Sequence, residues 1–335
     1  MTNPVAVKVL RNGCVESTRR GAVAVCDAYG QLRLTVGDIE TTVFPRSALK
    51  PIQAPPLVEI GAAKTFAVTG EELALACASY NGEAAHVSVI TEWLMQLELD
   101  KNALACEAHW SLADSVALAM AADGGKPSAI HNNCSGKHTG ILTTVRRLGL
   151  DVKTYEAPDH PVQVRIRDSI SELTNYALNG TDPAVDGCSI PAYAIPLGGL
   201  AQAFAQFSHL NSTSSIRAST CHQIISAIFE HPFVVGGTGR FCTNVLKAGR
   251  GRLLVKSGAE GMMAAALPNI GIGVAIKIDD GGRRAAETAM AAVLLEIGGL
   301  AESTRDCLHR YATATTQNWH GQVVGTIRTA PGFPS

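Results

Sequence analysis

The sequence predicts an α+β protein in which an antiparallel sheet is built from both ends of the chain, with a mostly helical lobe inserted between them. Two observations support this prediction. Short apolar or alternating runs separated by glycine turns stand near the N-terminus and again after residue 250. Stretches with apolar residues three and four positions apart, some opened by capping residues, occupy the middle of the chain.

The N-terminal segments predict an antiparallel meander of strands. Each segment alternates or runs apolar, and turns at Gly30 and Gly37 separate the later ones. The predicted strands are residues 4–10, 22–28, 32–36 and 41–44.

The middle of the chain predicts helices with recognisable start signals. Thr69-Gly70-Glu71-Glu72 matches a capping box that opens a helix running into Ser79. Asp159 is expected to cap a helix whose first turn contains Pro161. Apolar stripes at helical spacing mark two helices: His86, Ile90, Trp93, Leu94 and Leu97, and then Val162, Ile166, Ile170, Leu173 and Ala177. His86 is therefore expected to be a packed or half-exposed residue and not a catalyst.

Further helices are predicted along the chain, and the second group of strands follows residue 250. A helix interrupted by prolines is expected to begin at Ser47, since Pro51, Pro55 and Pro56 remove N–H donors and favour kinks. Further helices are expected over residues 139–148, 201–207, 216–229 and 285–297, and strands over 252–256, 262–267 and 273–278. We therefore expect a single catalytic domain, 1–335. Its approximate lobes are a sheet lobe formed by 1–46 with 250–335 and a mostly helical lobe formed by 47–249.

Composition excludes several classes of function. The chain has 335 residues, 46% of them hydrophobic, which suffices for a large core, and its net charge of −1 gives no basic surface for nucleic acid. No stretch approaches the roughly 20 apolar residues of a membrane span. The N-terminal residues lack the pattern of a signal peptide, and the nine cysteines have no regular spacing. We expect a cytoplasmic protein with reduced thiols.

Ser47 and Lys50 form the only Ser-x-x-Lys pair in the chain. On a helix, residues three apart lie on one face, so the two side chains could meet. A serine hydroxyl needs a neighbouring base to become a nucleophile, and a lysine whose pKa is lowered by burial can be that base. The pair alone is a weak signal, because a capping serine and a solvated lysine have the same spacing.

Two further motifs strengthen the prediction that Ser47 and Lys50 are a nucleophile and its base. Ser79-Tyr80-Asn81 is a Ser-x-Asn triplet, and Lys256-Ser257-Gly258 closes an apolar run late in the chain. Ser-x-x-Lys, Ser-x-Asn and Lys-Ser/Thr-Gly, in this order, form the motif set of penicillin-recognising serine enzymes. The set predicts acyl transfer through a serine, with a second Ser–Lys pair that relays protons to the leaving amine.

Further stretches resemble a particular family, the rhizobial-type L-asparaginases (class 3, Rhizobium etli type) of the asparaginase II group. They are Arg46-Ser47-Ala48-Leu49-Lys50-Pro51, Asn132-Asn133-Cys134-Ser135-Gly136-Lys137-His138, Asp186-Gly187-Cys188 and Lys256-Ser257-Gly258-Ala259-Glu260-Gly261. The resemblance covers essentially the whole chain. It implies a fold like that of serine β-lactamases and glutaminases, and hydrolysis of L-asparagine to L-aspartate and ammonia.

The resemblance also implies roles for individual residues. Ser47 would pair with Lys50, and Ser79 with Lys256. Cys134, Lys137 and Cys188 would bind a Zn²⁺ ion beside the active site, and the protein would be a homodimer. Spacing alone does not predict this metal site, because structural zinc usually takes four Cys or His ligands and lysine must be neutral to bind a metal. Since the two Ser–Lys pairs already supply a nucleophile and a base, we expect the metal to position substrate or stabilise structure.

Other polar residues near these motifs are candidates for binding. Arg46 could hold the α-carboxylate of the substrate, because a guanidinium binds carboxylate through two hydrogen bonds. Asn81 and Asn133 could bond the amide or the α-amino group. His138 and Asp186 flank the predicted metal ligands and could orient them as a pair. The stretch Gly236-Gly237-Thr238-Gly239 is not a phosphate-binding loop, because no Gly-Lys-Ser/Thr follows it.

Several functions remain open on the sequence alone. A glutaminase differs from an asparaginase by one methylene in its substrate, which a pocket distinguishes by only about 1–3 kcal/mol. A penicillin-recognising acylase would carry the same motifs, although enzymes of that kind act outside the cytoplasm. A zinc-stabilised protein that binds amino acids without catalysis is the alternative from another class.

Overall fold

The computed structural model describes residues 2–209 and 215–334. Its strands are β1 (Val5–Arg11), β2 (Cys14–Asp27), β3 (Leu32–Val36), β4 (Thr42–Val43), β5 (Ala184–Val185), β6 (Pro191–Ala192), β7 (Ile195–Pro196), β8 (Leu254–Ser257), β9 (Met262–Leu267), β10 (Ile272–Ile278), β11 (Thr313–Gln317) and β12 (Val323–Thr329). Its α-helices are α1 (Lys50–Gln53), α2 (Pro55–Glu59), α3 (Ala62–Thr65), α4 (Gly70–Ala76), α5 (Ala84–Gln96), α6 (Asp114–Ala122), α7 (Ser135–Leu148), α8 (Pro161–Thr174), α9 (Leu197–Ser208), α10 (Ile216–Glu230), α11 (Pro232–Gly236), α12 (Phe241–Gly249), α13 (Arg283–Ile297) and α14 (Glu302–Ala312).

The chain forms two compact units. The first comprises 1–48, 194–209 and 244–335, and the second comprises 49–193 and 210–243. The first unit therefore includes 47–48, 194–209 and 244–249, which the expected lobe boundaries placed with the helical segment. These pieces include α9, which packs on strands β2, β9 and β10 of the sheet.

The first unit contains an antiparallel sheet in the order β11-β12-β1-β2-β10-β9-β8, with β3 paired to β2. Strands from the two ends of the chain meet where β1 pairs with β12 and where β2 pairs with β10. Every residue of β9 is buried, as expected for an interior strand covered on both faces. Together with the helices, this sheet confirms the predicted α+β class and an antiparallel sheet built from both termini.

The predicted meander is right for three strands and wrong for the fourth. Strands β1, β2 and β3 pair in sequence order, and β3 has the predicted bounds. Strand β4 instead pairs with β7. It is only two residues long, so its pairing depends on the later segment that reaches it and not on a local turn.

The second unit is mostly helical. The capping box is present: Thr69 Oγ1 accepts the backbone N–H of Glu72, and the Glu72 carboxylate accepts the N–H of Thr69. The predicted cap at Asp159 is wrong, because the cap of α8 is His160, whose Nδ1 accepts the N–H of Val162 at 3.2 Å. Pro161 is the first residue of that helix, as predicted.

Helix α5 bears out the reading of His86 as a packed residue. Its ring lies between the ring of Tyr80, with centroids 4.6 Å apart, and the ring of Phe233, at 5.2 Å. His86 Nδ1 accepts the backbone N–H of Glu83. Burial lowers the pKa of His86, which favours the neutral ring of a core histidine.

Candidate active site

Ser47 lies on a tight turn in the first unit. Residues 46–49 form a 3₁₀ turn at the point where a helix interrupted by prolines was expected to begin, and the N–H of Ala48 donates to the carbonyl of Pro45 at 3.1 Å. Arg46, directly before the serine, has a φ of 53°. A non-glycine residue in this left-handed region costs about 1 kcal/mol or more, and such residues cluster at functional sites. Ser47 is half-buried on this turn.

The Lys-Ser-Gly stretch of the same unit lies against this turn. Lys256 is on β8 and is 1% exposed, and its Nζ donates to the carbonyl of Ser257 at 2.8 Å. A Cβ atom added to Gly258 would stand 2.5 Å from the carbonyl oxygen of Pro45 and 3.3 Å from the nitrogen of Ala48. Glycine is thus needed at 258 for β8 to approach the backbone that carries Ser47.

Lys50 begins α1 in the second unit and is 1% exposed. Its Nζ donates to the hydroxyl of Ser79 at 3.0 Å, to the carbonyl of Asn133 at 3.0 Å and to the carbonyl of Ala78. Burial lowers the pKa of Lys50, and the positive charge of Lys137 adds to this, while Cys134 opposes it. A lowered pKa is what a lysine needs to act as a base.

Ser79 and Asn81 follow α4 in an extended segment. The backbone N–H of Ser79 donates to the carbonyl of Val235 at 3.0 Å, and that of Asn81 to the carbonyl of Gly236 at 3.1 Å. Ser79 is 6% exposed and Asn81 1% exposed. These two backbone hydrogen bonds hold the segment that carries the Ser79 and Asn81 side chains of the Ser-x-Asn motif.

The predicted zinc ligands converge in the second unit. Lys137 Nζ donates to the sulfur of Cys188 at 2.9 Å, and a hydrogen bond joins the sulfurs of Cys134 and Cys188. That bond, with the nearby cations of Lys50 and Lys137, holds the pKa of Cys134 well below its usual range. Although burial opposes charge on Lys137, the two cysteines raise its pKa to about 12.

Two of the three predicted donors suit a zinc ion. Two sulfurs and one nitrogen meet at a buried point, and thiolate is a ligand that zinc accepts. Lys137 would have to release a proton to bind. Among the residues that the structure describes, no group of three or more His, Cys, Asp or Glu side chains could hold a metal, so a site here depends on the lysine as third ligand.

The other predicted residues lie around this cluster. His138 is fully buried and its Nδ1 contacts the hydroxyl of Tyr155 at 2.5 Å, while the Asp186 carboxylate accepts the N–H of Cys188 at 3.3 Å. Asn133 Oδ1 lies 3.2 Å from the sulfur of Cys134. The orienting role of His138 and Asp186 and the substrate contact of Asn133 stay predictions.

The structure thus brings together Lys50, Ser79 and Asn133 with the three metal-ligand candidates in one unit. In the other unit it brings the turn of Arg46 and Ser47 against Gly258. The boundary between units falls between Ala48 and Leu49. The predicted pairings of Ser47 with Lys50 and of Ser79 with Lys256 therefore stay predictions.

Three residues with structural roles in the site were not identified from the sequence. The Tyr80 hydroxyl accepts the N–H of Gly136 at 2.8 Å and contacts the hydroxyl of Ser135, so it ties the Ser-x-Asn segment to the start of α7. Tyr155 contacts His138, and Glu83 bonds Asn81. The middle position of Ser-x-Asn could have drawn attention to Tyr80, but nothing in the sequence marks Tyr155.

Comparison with known proteins identifies the family. The model of the family described as L-asparaginase II matches residues 7–329, and the chain therefore belongs to this family. A comparison with curated proteins finds no match.

Solved structures similar to the chain include Mglu in its native form, with 14% identity and a TM-score of 0.45 over 87% of this chain and 64% of that one. A β-lactamase from Mycobacterium bovis has 13% identity and a TM-score of 0.42, covering 87% and 94%. Simvastatin synthase from Aspergillus terreus, unliganded, has 12% identity and a TM-score of 0.38, covering 87% and 93%. The chain spans less than two thirds of the length of Mglu.

Two expectations from the sequence concern membrane-spanning segments and the cysteines. In residues 2–209 and 215–334, no helix is both long and apolar enough to cross a membrane. All nine cysteines lie in these segments, where none of them forms a disulfide bond, and eight of them are buried.

Proposed function

We propose that the chain is an L-asparaginase of the rhizobial type, which hydrolyses L-asparagine to L-aspartate and ammonia through an acyl-enzyme. Membership in the L-asparaginase II family supports the substrate. The observation that carries the mechanism is the buried Lys50, whose Nζ lies 3.0 Å from the hydroxyl of Ser79. A buried lysine beside a serine motif fits proton transfer better than a solvated structural role.

In the proposed reaction, Ser47 Oγ attacks the side-chain amide carbon of asparagine and neutral Lys50 takes the hydroxyl proton. Backbone N–H groups, one of them from Ser47, hold the oxyanion. The C–N bond then breaks, and Ser79 with Lys256 delivers a proton to the leaving nitrogen, which departs as ammonia. Water hydrolyses the β-aspartyl ester, which restores the Ser47 hydroxyl and completes the β-carboxylate of aspartate.

Cys134, Lys137 and Cys188 would hold a zinc ion beside Lys50. The convergence of two thiols and an amine at a buried point supports this proposal. When bound, the ion would supply a positive charge that helps to position the substrate. The chemical steps do not require it, because the two Ser–Lys pairs supply nucleophile, base and acid. His138 and Asp186 would orient the loops that carry these ligands.

Arg46, Asn81 and Asn133 would bind the amino-acid part of the substrate. Arg46 suits the α-carboxylate, since its guanidinium offers two parallel donors. The homodimer and the cytoplasmic location are further predictions of the resemblance and of the sequence. Light scattering on the purified protein tests the dimer, which predicts twice the chain mass of 35.1 kDa.

One assay tests the activity. Ammonia release is measured with asparagine and with glutamine, and hydrolysis with a chromogenic β-lactam. We expect turnover of asparagine with kcat/KM at least about tenfold above that of glutamine, which corresponds to one methylene of discrimination. Preference for glutamine would indicate a glutaminase, and β-lactam turnover a penicillin-recognising acylase. Binding of asparagine without ammonia would support the non-catalytic alternative.

A further inference from the structure

The amide of Asn81 is held in one orientation by its neighbours. Its Nδ2 donates to the carboxylate of Glu83 at 3.0 Å and to the carbonyl of Thr238 at 3.0 Å. An amide has two N–H donors, so both are used. A flipped amide would place an oxygen against two acceptors, which is unfavourable. The amide oxygen, Oδ1, must therefore point away from these partners.

This oxygen has no hydrogen-bond partner among the described residues, although it is buried. An unsatisfied buried acceptor costs about 1–3 kcal/mol, so such atoms are rare without a reason. A ligand that brings an N–H donor to this position would remove the cost. A positively charged amino group is the strongest such donor.

Glu83 is the centre of the arrangement that fixes this amide. One carboxylate oxygen accepts from Asn81 Nδ2 and from the N–H of Thr238 at 2.7 Å, and the other accepts from the Thr238 hydroxyl at 2.7 Å. Although burial opposes it, bonds from Thr238 and Asn81 lower the pKa of Glu83, so it is ionised at neutral pH. The carboxylate thus joins Asn81 to the loop 236–239.

The loop is built for this contact. Gly237 has a φ of 94°, and a Cβ atom there would stand 2.3 Å from the Glu83 carboxylate and 2.9 Å from Asn81 Nδ2. Only glycine can occupy this position without displacing both side chains. The glycine-rich stretch, which carries no phosphate-binding motif, therefore has a structural reason in the Asn81–Glu83 contact.

We infer that Glu83 is a positioning residue that presents Asn81 Oδ1 as the acceptor for the α-ammonium group of the substrate. The inference rests on the proposed function and deepens it by assigning recognition of the amino group. It makes the enzyme selective for amides that carry an α-amino group. Because Oδ1 is shielded from solvent, the side chains that cover it must shift when substrate enters.

The test compares asparagine with succinamic acid, which has the same amide and carboxylate but no α-amino group. Glu83→Ala should raise KM for asparagine by about 10- to 100-fold, the range for a lost hydrogen bond to a charged group. Its KM for succinamic acid should change less than about threefold, with kcat for both retained. Glu83→Gln keeps an oxygen for Asn81 and Thr238 and should remain within about threefold of wild type.

Two further variants make the result decisive. Glu92→Ala removes an exposed carboxylate of α5 and should leave both substrates unchanged. If Glu83→Ala does not fold, Thr238→Val, which deletes one of the bonds to Glu83, should still raise KM for asparagine selectively. Equal losses on both substrates would show a merely structural role and overturn the inference.

Different results would overturn the role of Glu83 and the proposed function. A wild type that releases no ammonia from asparagine would overturn both. A wild type that turns over asparagine, with Glu83→Ala showing the same ratio between the two substrates, would overturn the role of Glu83 alone.

Discussion

The Nζ atom of Lys50 lies 3.0 Å from the hydroxyl oxygen of Ser79, and both side chains are almost completely buried. The sequence places Lys50 three residues after Ser47 and suggests that pair first. The contact with Ser79 shows that Lys50 lies at the second serine motif, whereas its pairing with Ser47 stays a prediction. A buried lysine at hydrogen-bond distance from a serine hydroxyl is placed to exchange a proton with it.

Ser47→Ala should abolish turnover while leaving the fold intact. Removing the nucleophile of a catalytic unit costs about a thousandfold or more in kcat, because the remaining members cannot replace it. The measurement is ammonia release together with circular dichroism. Ser88→Ala, an exposed serine of α5, is the matched control and should behave as wild type. A folded Ser47→Ala protein with activity within tenfold of wild type would remove Ser47 as nucleophile and leave Ser79 as the first alternative.

Lys50→Arg should be nearly as damaging as Lys50→Ala. Arginine keeps the charge but does not lose its proton in a protein, so it cannot act as a base.

The same argument predicts how kcat depends on pH. Burial lowers the pKa of Lys50 below its usual 10.5, and the active form is neutral, so kcat should rise with pH as the ammonium loses its proton. A rate constant that does not change between pH 6 and 9, or a highly active Lys50→Arg, would make Lys50 an electrostatic anchor.

Some elements of the fold could be predicted from the sequence, and others could not. Strands β3 and β9 have the predicted bounds, and the capping box at Thr69 forms as predicted, because local periodicity and capping chemistry decide them. Strand β11, Thr-Ala-Thr-Thr-Gln, was not predicted. It is an edge strand with polar side chains, and its formation depends on pairing with β12.

In the candidate site, too, some residues could be predicted from the sequence and others could not. Motif order identified Ser47, Lys50, Ser79 and Lys256 as candidates, since the residue types needed for acyl transfer are few. The contact of Lys137 with Cys188 joins residues 51 positions apart, and spacing alone gave no reason for it. Glu83 was missed because its hydrogen bonds come from Thr238, 155 positions along the chain, which only folding brings near.

Removing the metal should weaken substrate binding more than it slows the chemistry. A positioning group contributes similarly to the ground state and the transition state, so its loss raises KM with kcat largely kept. Cys188→Ser should act alike, because a serine hydroxyl is a far poorer zinc ligand than a thiolate. Cys221→Ser, a buried thiol of α10 outside the cluster, is the control for loss of a sulfur.

The measurement combines metal content by mass spectrometry with full kinetics of the wild type, the chelator-treated protein and both variants. Protein purified without zinc would remove the proposed site. Bound zinc whose removal lowers kcat a thousandfold at constant KM would make the metal part of the chemistry, contrary to the proposal.

Gly258→Ala should lower kcat by separating β8 from the turn that carries Ser47. The new methyl group would stand 2.5 Å from the carbonyl oxygen of Pro45 and 2.9 Å from Cβ of Met262, so one of these backbones must move. A displacement of about 1 Å at a catalytic group can cost about 100-fold in rate. The measurement is kcat and KM for asparagine, with a thermal unfolding curve to show that the protein folds.

Gly198→Ala is the matched control for this substitution. Gly198 lies on α9 in the same unit, and its added methyl group would meet only Ile39, at an ordinary 3.7 Å. We therefore expect normal kinetics and, because alanine is the better helix former, equal or slightly higher stability. If Gly258→Ala kept kcat within twofold of wild type, the close approach of β8 to Pro45 and Ala48 would not be needed to place Ser47. The serine would then owe its position to the left-handed turn at Arg46 alone.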